Sequence, residues 1–331
     1  MITEEEAQDA LGRLNETRDR LMVEIRKGII GQDQVIEQLL ITLLARGHCL
    51  LTGIPGLGKT LLVKTLAKCL SLGFKRIQFT PDLMPADVVG SEVVDEDPAT
   101  GKKSFRFSPG PIFSNVVLAD EINRTPPKTQ ASLLEAMEER QVTVSGETRP
   151  LESPFFVLAT QNPIELEGTY PLPEAQLDRF LLNPVIDYLS MEDEIKMVGE
   201  TTGVTREDAE PVLSGENIMQ LQNLTREIPA SESVVSYAVE LSSASRPKSP
   251  SCDEWTQKRV KWGAGSRASQ ALILASKAKA LLDGRPNASK EDVKTMAKSA
   301  LRHRILPSFY AESEGLGSDE IVDHLLETVS S

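Results

Sequence analysis

The chain has 331 residues, 40% hydrophobic and 26% charged, an ordinary balance for a globular protein with one large and one small domain. Its formal charge of −13 argues against a broad face for nucleic-acid phosphates, so nucleic acid is disfavoured as a partner. No apolar run nears the ~20 residues that span a bilayer, and the start Glu4-Glu5-Glu6 lacks the basic head and apolar stretch of a signal peptide, so a cytoplasmic protein with no membrane span is expected.

Ala7, Leu11, Leu14, Leu21 and Ile25 recur at helical spacing among charged residues, which predicts an amphipathic N-terminal helix in residues 1–28. Gly28 and Gly31 break it, and a second helix is expected over residues 34–45. The apolar run 48–52 then meets Gly53-Ile54-Pro55-Gly56-Leu57-Gly58-Lys59-Thr60, and a helical pattern follows over 61–70. Short apolar runs at 76–79, 115–119, 155–159 and 184–188 read as buried parallel strands, with a helix-patterned segment at 129–140. Strands alternating with helices imply a doubly wound α/β domain over residues 29–189. Within it, residues 82–111 look like an insertion with one or two short strands, and residues 141–150 like a hairpin turning at Ser145-Gly146.

Beyond Leu189 the pattern changes to helices joined by Gly, Pro and Ser, so residues 190–331 are expected to form a helical domain. An Ala-rich helix over 268–282 closes at Asp283-Gly284, and Ser289 with Asp292 resembles a capping box. Residues 242–251 read as an exposed loop. There is no internal repeat. Cys49, Cys69 and Cys252 show neither CxxC spacing nor a histidine cluster, so a cysteine metal site is not expected.

Gly53-x-x-x-x-Gly58-Lys59-Thr60 fits a phosphate loop: glycines let backbone N–H groups wrap an anion, and the following helix adds its positive end. Lys59 would reach the β- and γ-phosphates of ATP, and the Thr60 hydroxyl would ligate Mg²⁺. A glycine-rich turn is the bland alternative, but the strand before and helix after are the context that favours the loop. The apolar strand 116–119 ends in Asp120-Glu121, where Asp120 would hold the Mg²⁺ shell and Glu121 would activate water. Next, the strand at 156–159 runs into Thr160-Gln161-Asn162, a carboxamide able to orient water or sense the γ-phosphate, though Asn162-Pro163 is also good turn chemistry. Arg179 lies near the end of the large domain and Arg267 opens a helix of the small one. A lone arginine is usually a surface ion-pair partner. These two become candidates for stabilising phosphoryl charge only within the whole pattern.

The order GIPGLGKT, LADEINR, ATQNP, LPEAQLDRF, GAGSRAS and LRHRILPSF resembles the MoxR family of AAA+ ATPases, over residues 31–316. The resemblance implies an α/β fold of AAA+ type, an αβα nucleotide-binding domain with a parallel sheet followed by an all-α lid. It implies a nucleotide site of Gly31, Gly53, Pro55, Gly56, Leu57, Gly58, Lys59, Thr60, Leu61 and Asp120, with Mg²⁺ on Thr60 and Asp120. In family terms Lys59 and Thr60 are Walker A, and Asp120 and Glu121 are Walker B. Asn162 is sensor 1, Arg179 the arginine finger and Arg267 sensor 2, with Arg124 as the runner-up for a contact between subunits. It further implies a homo-oligomeric, hexameric ring with ATP between subunits, and a chaperone-like role toward partners that often carry a von Willebrand factor A domain and a metal or cofactor. The insertion and the hairpin correspond to elements that face the pore in related rings.

One departure stands out: Gly265-Ser266 replaces the Ser-Pro of the usual lid motif, removing a proline that would fix φ at the helix entry while keeping Arg267. Two other readings share the architecture, a magnesium-chelatase-like ATPase subunit and a helicase related to minichromosome maintenance proteins. The first would be signalled by a fused or adjacent metal-inserting partner, and no such extra domain is read in these 331 residues. The second calls for basic pore loops, and here Gly101-Lys102-Lys103 stands just after Glu92, Asp95, Glu96 and Asp97. A catalytically inactive scaffold is the remaining alternative, and it is weakened by every catalytic position being filled.

Overall fold

The apolar runs of the sequence become strands because both faces of a parallel sheet are covered by helices. In the computed structural model, residues 4–96, 103–162, 168–203 and 207–329 are described, and residues 4–15 by their backbone alone. The side chains of Ala7, Leu11 and Leu14, and residues Asp97, Gly101, Lys102 and Pro163, lie outside the described residues.

The first half of the chain runs α1 (Glu4–Gly28), α2 (Asp33–Leu44), β1 (Cys49–Thr52), α3 (Lys59–Cys69), β2 (Phe74–Gln78), α4 (Pro85–Val89), β3 (Gly90–Glu96), β4 (Lys103–Pro109), β5 (Val116–Asp120), α5 (Pro127–Glu139), β6 (Gln141–Val144), β7 (Glu147–Pro150), β8 (Phe156–Gln161) and α6 (Glu174–Leu177). The central sheet has the order β1-β8-β5-β2, all parallel. Every residue of β5 is buried. On one face, Leu118, Phe156 and Leu158 pack with Ile36 and Leu39 of α2 and Leu62 and Leu66 of α3. On the other, Val117, Val157 and Ala159 pack with Leu133 and Met137 of α5. That alternation makes an αβα sandwich.

The insertion is more regular than the one or two short strands expected of it. It holds α4 and a seven-residue antiparallel pair, β3 with β4, while β6 and β7 form the second hairpin. The expected strand at 184–188 is reduced to bridges: Leu182 and Val185 run parallel beside β1, Leu50 N–H donates to Leu182 O, and Thr52 N–H donates to Pro184 O. Pro184 has no N–H for the ladder, which confines this segment to a broken edge.

The second half runs α7 (Met191–Thr201), α8 (Gly215–Glu227), α9 (Glu232–Ala244), α10 (Glu254–Arg259), β9 (Val260–Trp262), α11 (Ser266–Leu282), α12 (Lys290–Leu301), β10 (Leu306–Pro307), α13 (Phe309–Ser313) and α14 (Ser318–Thr328). Its core joins Tyr237, Leu241, Leu272, Val293 and Ile321 to Ile41 and Leu182 of the sheet domain. The lid is thus not wholly α, because β9 and β10 pair as a small antiparallel ribbon. Residues 242–251 also depart from an exposed loop: α9 continues to Ala244, and Ser242 and Ser245 are fully buried. Their hydroxyls fold onto Ala238 O and Ser242 O, which satisfies them without water and lets two serines act as core residues.

His48 shows how tightly the sheet is sealed. Val157 N–H donates to its Nδ1 at 3.0 Å, so Nε2 carries the proton and donates to Met137 O at 3.1 Å. Burial holds its pKa down to about 4, below the ordinary 6.5. Above pH 6.5 the ring is neutral in both folded and unfolded chains and costs nothing. As pH falls below 6.5 the unfolded chain takes up a proton that the native one refuses, so stability is lost until about pH 4. His303, against Phe180 O and beside Arg304, is lowered in the same direction for the same reason. We expect His48 alone to cost about 2 kcal/mol between pH 6.5 and 5. Urea unfolding at the two pH values, with His48→Gln as the comparison, measures it; an equal pH loss in both proteins would refute the assignment.

Candidate active site

The phosphate loop is held open at the C-terminal end of β1. Gly56 and Gly58 take φ of 87° and 74°, the left-handed region that favours glycine, and a Cβ on either would meet nothing within 4 Å. Gly53 is fixed for another reason: a Cβ there would lie 2.2 Å from Ile186 Cγ2 and 2.6 Å from Ile186 O. Lys59 and Thr60 begin α3, so the loop's amides and the helix end converge on one concavity. Lys59 Nζ donates to Gly53 O at 2.5 Å, and its pKa is lowered by partial burial, against the opposing pull of Asp120 and Glu121. Beside the loop a 360 Å³ cavity is walled by Ile29, Ile30 and Gln32 on one side and Pro55, Gly56, Leu57, Gly58 and Leu61 on the other. Gly31, at φ 67° and where a Cβ would lie 2.8 Å from Leu189 Cδ2, lines the adjoining cavity of 730 Å³.

Asp120 ends β5 almost fully buried. Thr160 Oγ1 donates to its Oδ1 at 2.6 Å, and Arg76 donates to Oδ2 from Nε at 3.0 Å and from its terminal nitrogen at 2.6 Å. Glu121 follows in a left-handed turn, φ 58°, with its N–H donating to Thr160 Oγ1 at 2.8 Å. That turn aims successive side chains in different directions, so Asp120 stays at the sheet while Glu121 projects from it. Glu121 Oε2 accepts from Gln78 Nε2 at 2.8 Å and from Arg124 at 2.9 Å. Asn162, almost fully buried, follows β8, and Gln161 O receives the Gly53 N–H at 3.3 Å. Strands β1, β8 and β5 therefore end side by side with Gly53, Asn162 and Asp120 at their tips.

Arg179 and Arg267 are not brought to that edge. Both bind Glu138, in the last turn of α5: Arg179 by a close ion pair and Arg267 at 3.1 Å. Arg179 also donates to Leu134 O at 3.0 Å. Arg267 lies 4.0 Å from Asp178, which is held by the buried Arg304 at 2.7 Å. Their cavity, 290 Å³, is lined by Arg46, Gly47 and His48, the residues that lead into β1. The phosphate loop leaves β1 at its other end, four residues on, at roughly 3.3 Å per residue. Within one subunit the two halves of the candidate site therefore face different surfaces.

Sequence reasoning passed over Arg76, Gln78, Glu138 and Arg304, and gave Thr160 no role. For Thr160 and Arg304 a signal existed, since both stand inside quoted motifs, ATQNP and LRHRILPSF. Arg76 and Gln78 alternate on β2 opposite Leu118 and Asp120, a register that only the sheet reveals.

The residues fit a nucleoside triphosphate and a small hard cation. An open glycine loop with a lysine and a helix N-terminus suits phosphates, and one carboxylate with one hydroxyl suits Mg²⁺, which keeps waters and phosphate oxygens as its other ligands.

Comparison with known proteins agrees with this geometry. Residues 48–182 match the ATPase family associated with various cellular activities (AAA), and residues 252–325 match the AAA lid domain. The fold and site thus define an ATP-hydrolysing P-loop enzyme of the AAA class, with a sheet domain and a lid. Over 95% of its length the chain is 40% identical to Chaperone MoxR1 of Mycobacterium tuberculosis, covering 82% of that protein. It is 31% identical to Protein MoxR of Methylorubrum extorquens, with 92% of each covered. A crystal structure of a proposed ATPase from Cytophaga hutchinsonii superposes with a TM-score of 0.90 at 38% identity, over 98% of both chains. The chain belongs to the MoxR family of AAA ATPases. Among the described residues no helix is long and apolar enough to cross a membrane.

Proposed function

We propose that the protein is a Mg²⁺-dependent ATPase that works in the cytoplasm as a homo-oligomeric, hexameric ring, with each ATP held between two subunits. The ring would mature or activate partner proteins, including ones that carry a von Willebrand factor A domain and a metal or cofactor. The observation that carries the reading is the separation of the site into halves: Lys59, Asp120, Glu121 and Asn162 at one surface, Arg179 and Arg267 gathered on Glu138 at another. Within one subunit the arginines are held by the carboxylates of Glu138 and Asp178 and by Leu134 O. Between copies they have a γ-phosphate, which charge-assisted hydrogen bonds favour.

In this reading the loop amides and Lys59 hold the phosphates, and the cavity lined by Gln32, Pro55 and Leu61 takes the base. Thr60 and Asp120 would hold Mg²⁺, which neutralises charge across the phosphate oxygens when bound. Arg76 and Thr160 fix the Asp120 carboxylate, and Gln78 and Arg124 fix Glu121. Glu121 takes the proton from the attacking water, and Asn162 orients that water. The next subunit's Arg179 and Arg267, drawn off Glu138, stabilise charge on the transferring group.

Lys59→Ala removes the point charge at the phosphates and is expected to weaken ATP binding by roughly ten- to a hundredfold in calorimetry; unchanged affinity would remove the phosphate loop from the argument. The remodelling role is tested by trapping. Glu121→Gln protein in ATP should capture a partner protein that carries a von Willebrand factor A domain, and Lys59→Ala should not. Equal capture by both variants would mean that binding is not driven by the nucleotide state.

A further inference from the structure

Two unpartnered apolar faces border the two halves of the site. On α7, Met191, Ile195 and Val198 stand at i, i+4 and i+7, which sets them in one stripe, and they are 82%, 68% and 48% exposed. No residue of that helix is buried. A neighbouring side of α7, carrying Glu194, Met197 and Thr201, lines the cavity beside the phosphate loop. The second face lies on the lid ribbon, where Trp262 of β9 is 68% exposed and Phe309 of α13 is 84% exposed. Trp262 and Lys261 line a 480 Å³ cavity together with Asp178 and Arg304. Those last two residues also line the cavity that holds Arg179 and Arg267. One face is therefore continuous with the phosphate half-site and the other with the arginine half-site.

The charges nearest the two apolar clusters differ in sign. Glu192 and Glu194 flank the α7 stripe, with Lys196 the one basic residue of that helix, and Lys258 and Lys261 adjoin Trp262 in the chain, with Glu312 on α13; all six are exposed, and none makes an ion pair among the described residues. Large aromatic and aliphatic side chains left in water at this density mark a contact surface, and an aromatic anchor beside unpaired charge is what an interface core and rim require.

We propose that the apolar, acidic face of α7 docks on the aromatic face formed by β9, β10 and α13 of the next copy of this chain, with Lys258 and Lys261 at its edge. The proposal rests on the shared-site reading and specifies the surface through which that site is built. A contact that carries Arg179 and Arg267 to a neighbour's phosphate loop brings the surface beside the arginines against the surface beside the loop. The interface is heterologous, one face meeting a different face, and so builds a ring where its rotation closes, and not a two-fold dimer.

The test uses the full chain. Ile195→Glu and Phe309→Glu should each weaken ATP-dependent assembly by roughly tenfold or more in mass photometry, with ATP binding per subunit in calorimetry and thermal unfolding both unchanged. Lys261→Glu should weaken assembly, and mixing it with Glu192→Lys protein should restore mixed assemblies through the swapped pair. In a Cys252→Ser background, Ile195→Cys and Phe309→Cys subunits should cross-link with a short bismaleimide only when mixed and only in ATP. If wild-type protein assembles and both Glu variants assemble equally well, this surface is wrong while the shared site stands. If the wild type never assembles, the shared-site reading fails and takes this one with it. Intact rings that lose only partner-protein binding would assign the faces to a protein substrate and overturn the proposal.

Discussion

Glu121→Gln is expected to bind ATP as the wild-type protein does and to hydrolyse it at least roughly a hundredfold more slowly. The substitution keeps size and shape, so the left-handed backbone at φ 58° and the bond from its N–H to Thr160 Oγ1 are undisturbed. The amide oxygen still accepts from Gln78 or Arg124. Lys59, Thr60 and Asp120, on which phosphate and metal would rest, are untouched. What is lost is the negative charge, and with it the ability to take a proton from water and the ion pair to Arg124. A steady-state ATPase assay beside calorimetric titration separates the two effects. Turnover at the wild-type rate would exclude Glu121 as the base, and loss of binding together with turnover would mean that the carboxylate serves the metal instead.

Much of the fold was legible because burial on both faces writes itself as unbroken apolar runs. Residues 116–119 and 156–159 could be read as strands for that reason, and the glycine loop between an apolar run and a helical pattern fixed the direction of the first βα unit. What was not legible depends on partners remote in sequence. Residues 184–188 looked like a fifth strand, but Pro184 cannot donate to a ladder and leaves only bridges to β1. Ser242 and Ser245 looked exposed by composition, yet hydroxyls that bond to carbonyls one turn back are cheap to bury. In the site, Lys59, Asp120 and Glu121 follow from local spacing. Arg76 and Gln78 follow only from register, since their alternation on β2 means nothing until β5 lies beside it. That Arg179 and Arg267 meet at all is a tertiary fact: 88 residues separate them, and Glu138 on a third element supplies the carboxylate that joins them.

Mixed rings give the sharpest test of that meeting. Glu121→Gln and Arg179→Ala proteins should each be nearly inactive alone, and an equimolar mixture should regain about a quarter of wild-type activity if subunits exchange at random. The fraction follows from a heterologous interface, in which each ATP needs an intact Glu121 from one subunit and an intact Arg179 from the next. Half the subunits qualify on each side, so one interface in four is complete. An arginine acting inside its own subunit allows no rescue, because every subunit then lacks one group. Arg267→Ala should behave in the same way, since Arg267 shares the Glu138 carboxylate with Arg179 and lines the same cavity. Loss of both arginines should cost less than the product of the single losses, because residues on one partner act as a unit. The measurement requires assembled rings, so mass photometry in ATP comes first, and labelled subunits must be seen to exchange. No rescue in verified mixed rings would reject the contribution of Arg179 from the neighbour and shift it to Arg124, which touches Glu121 and is 44% exposed.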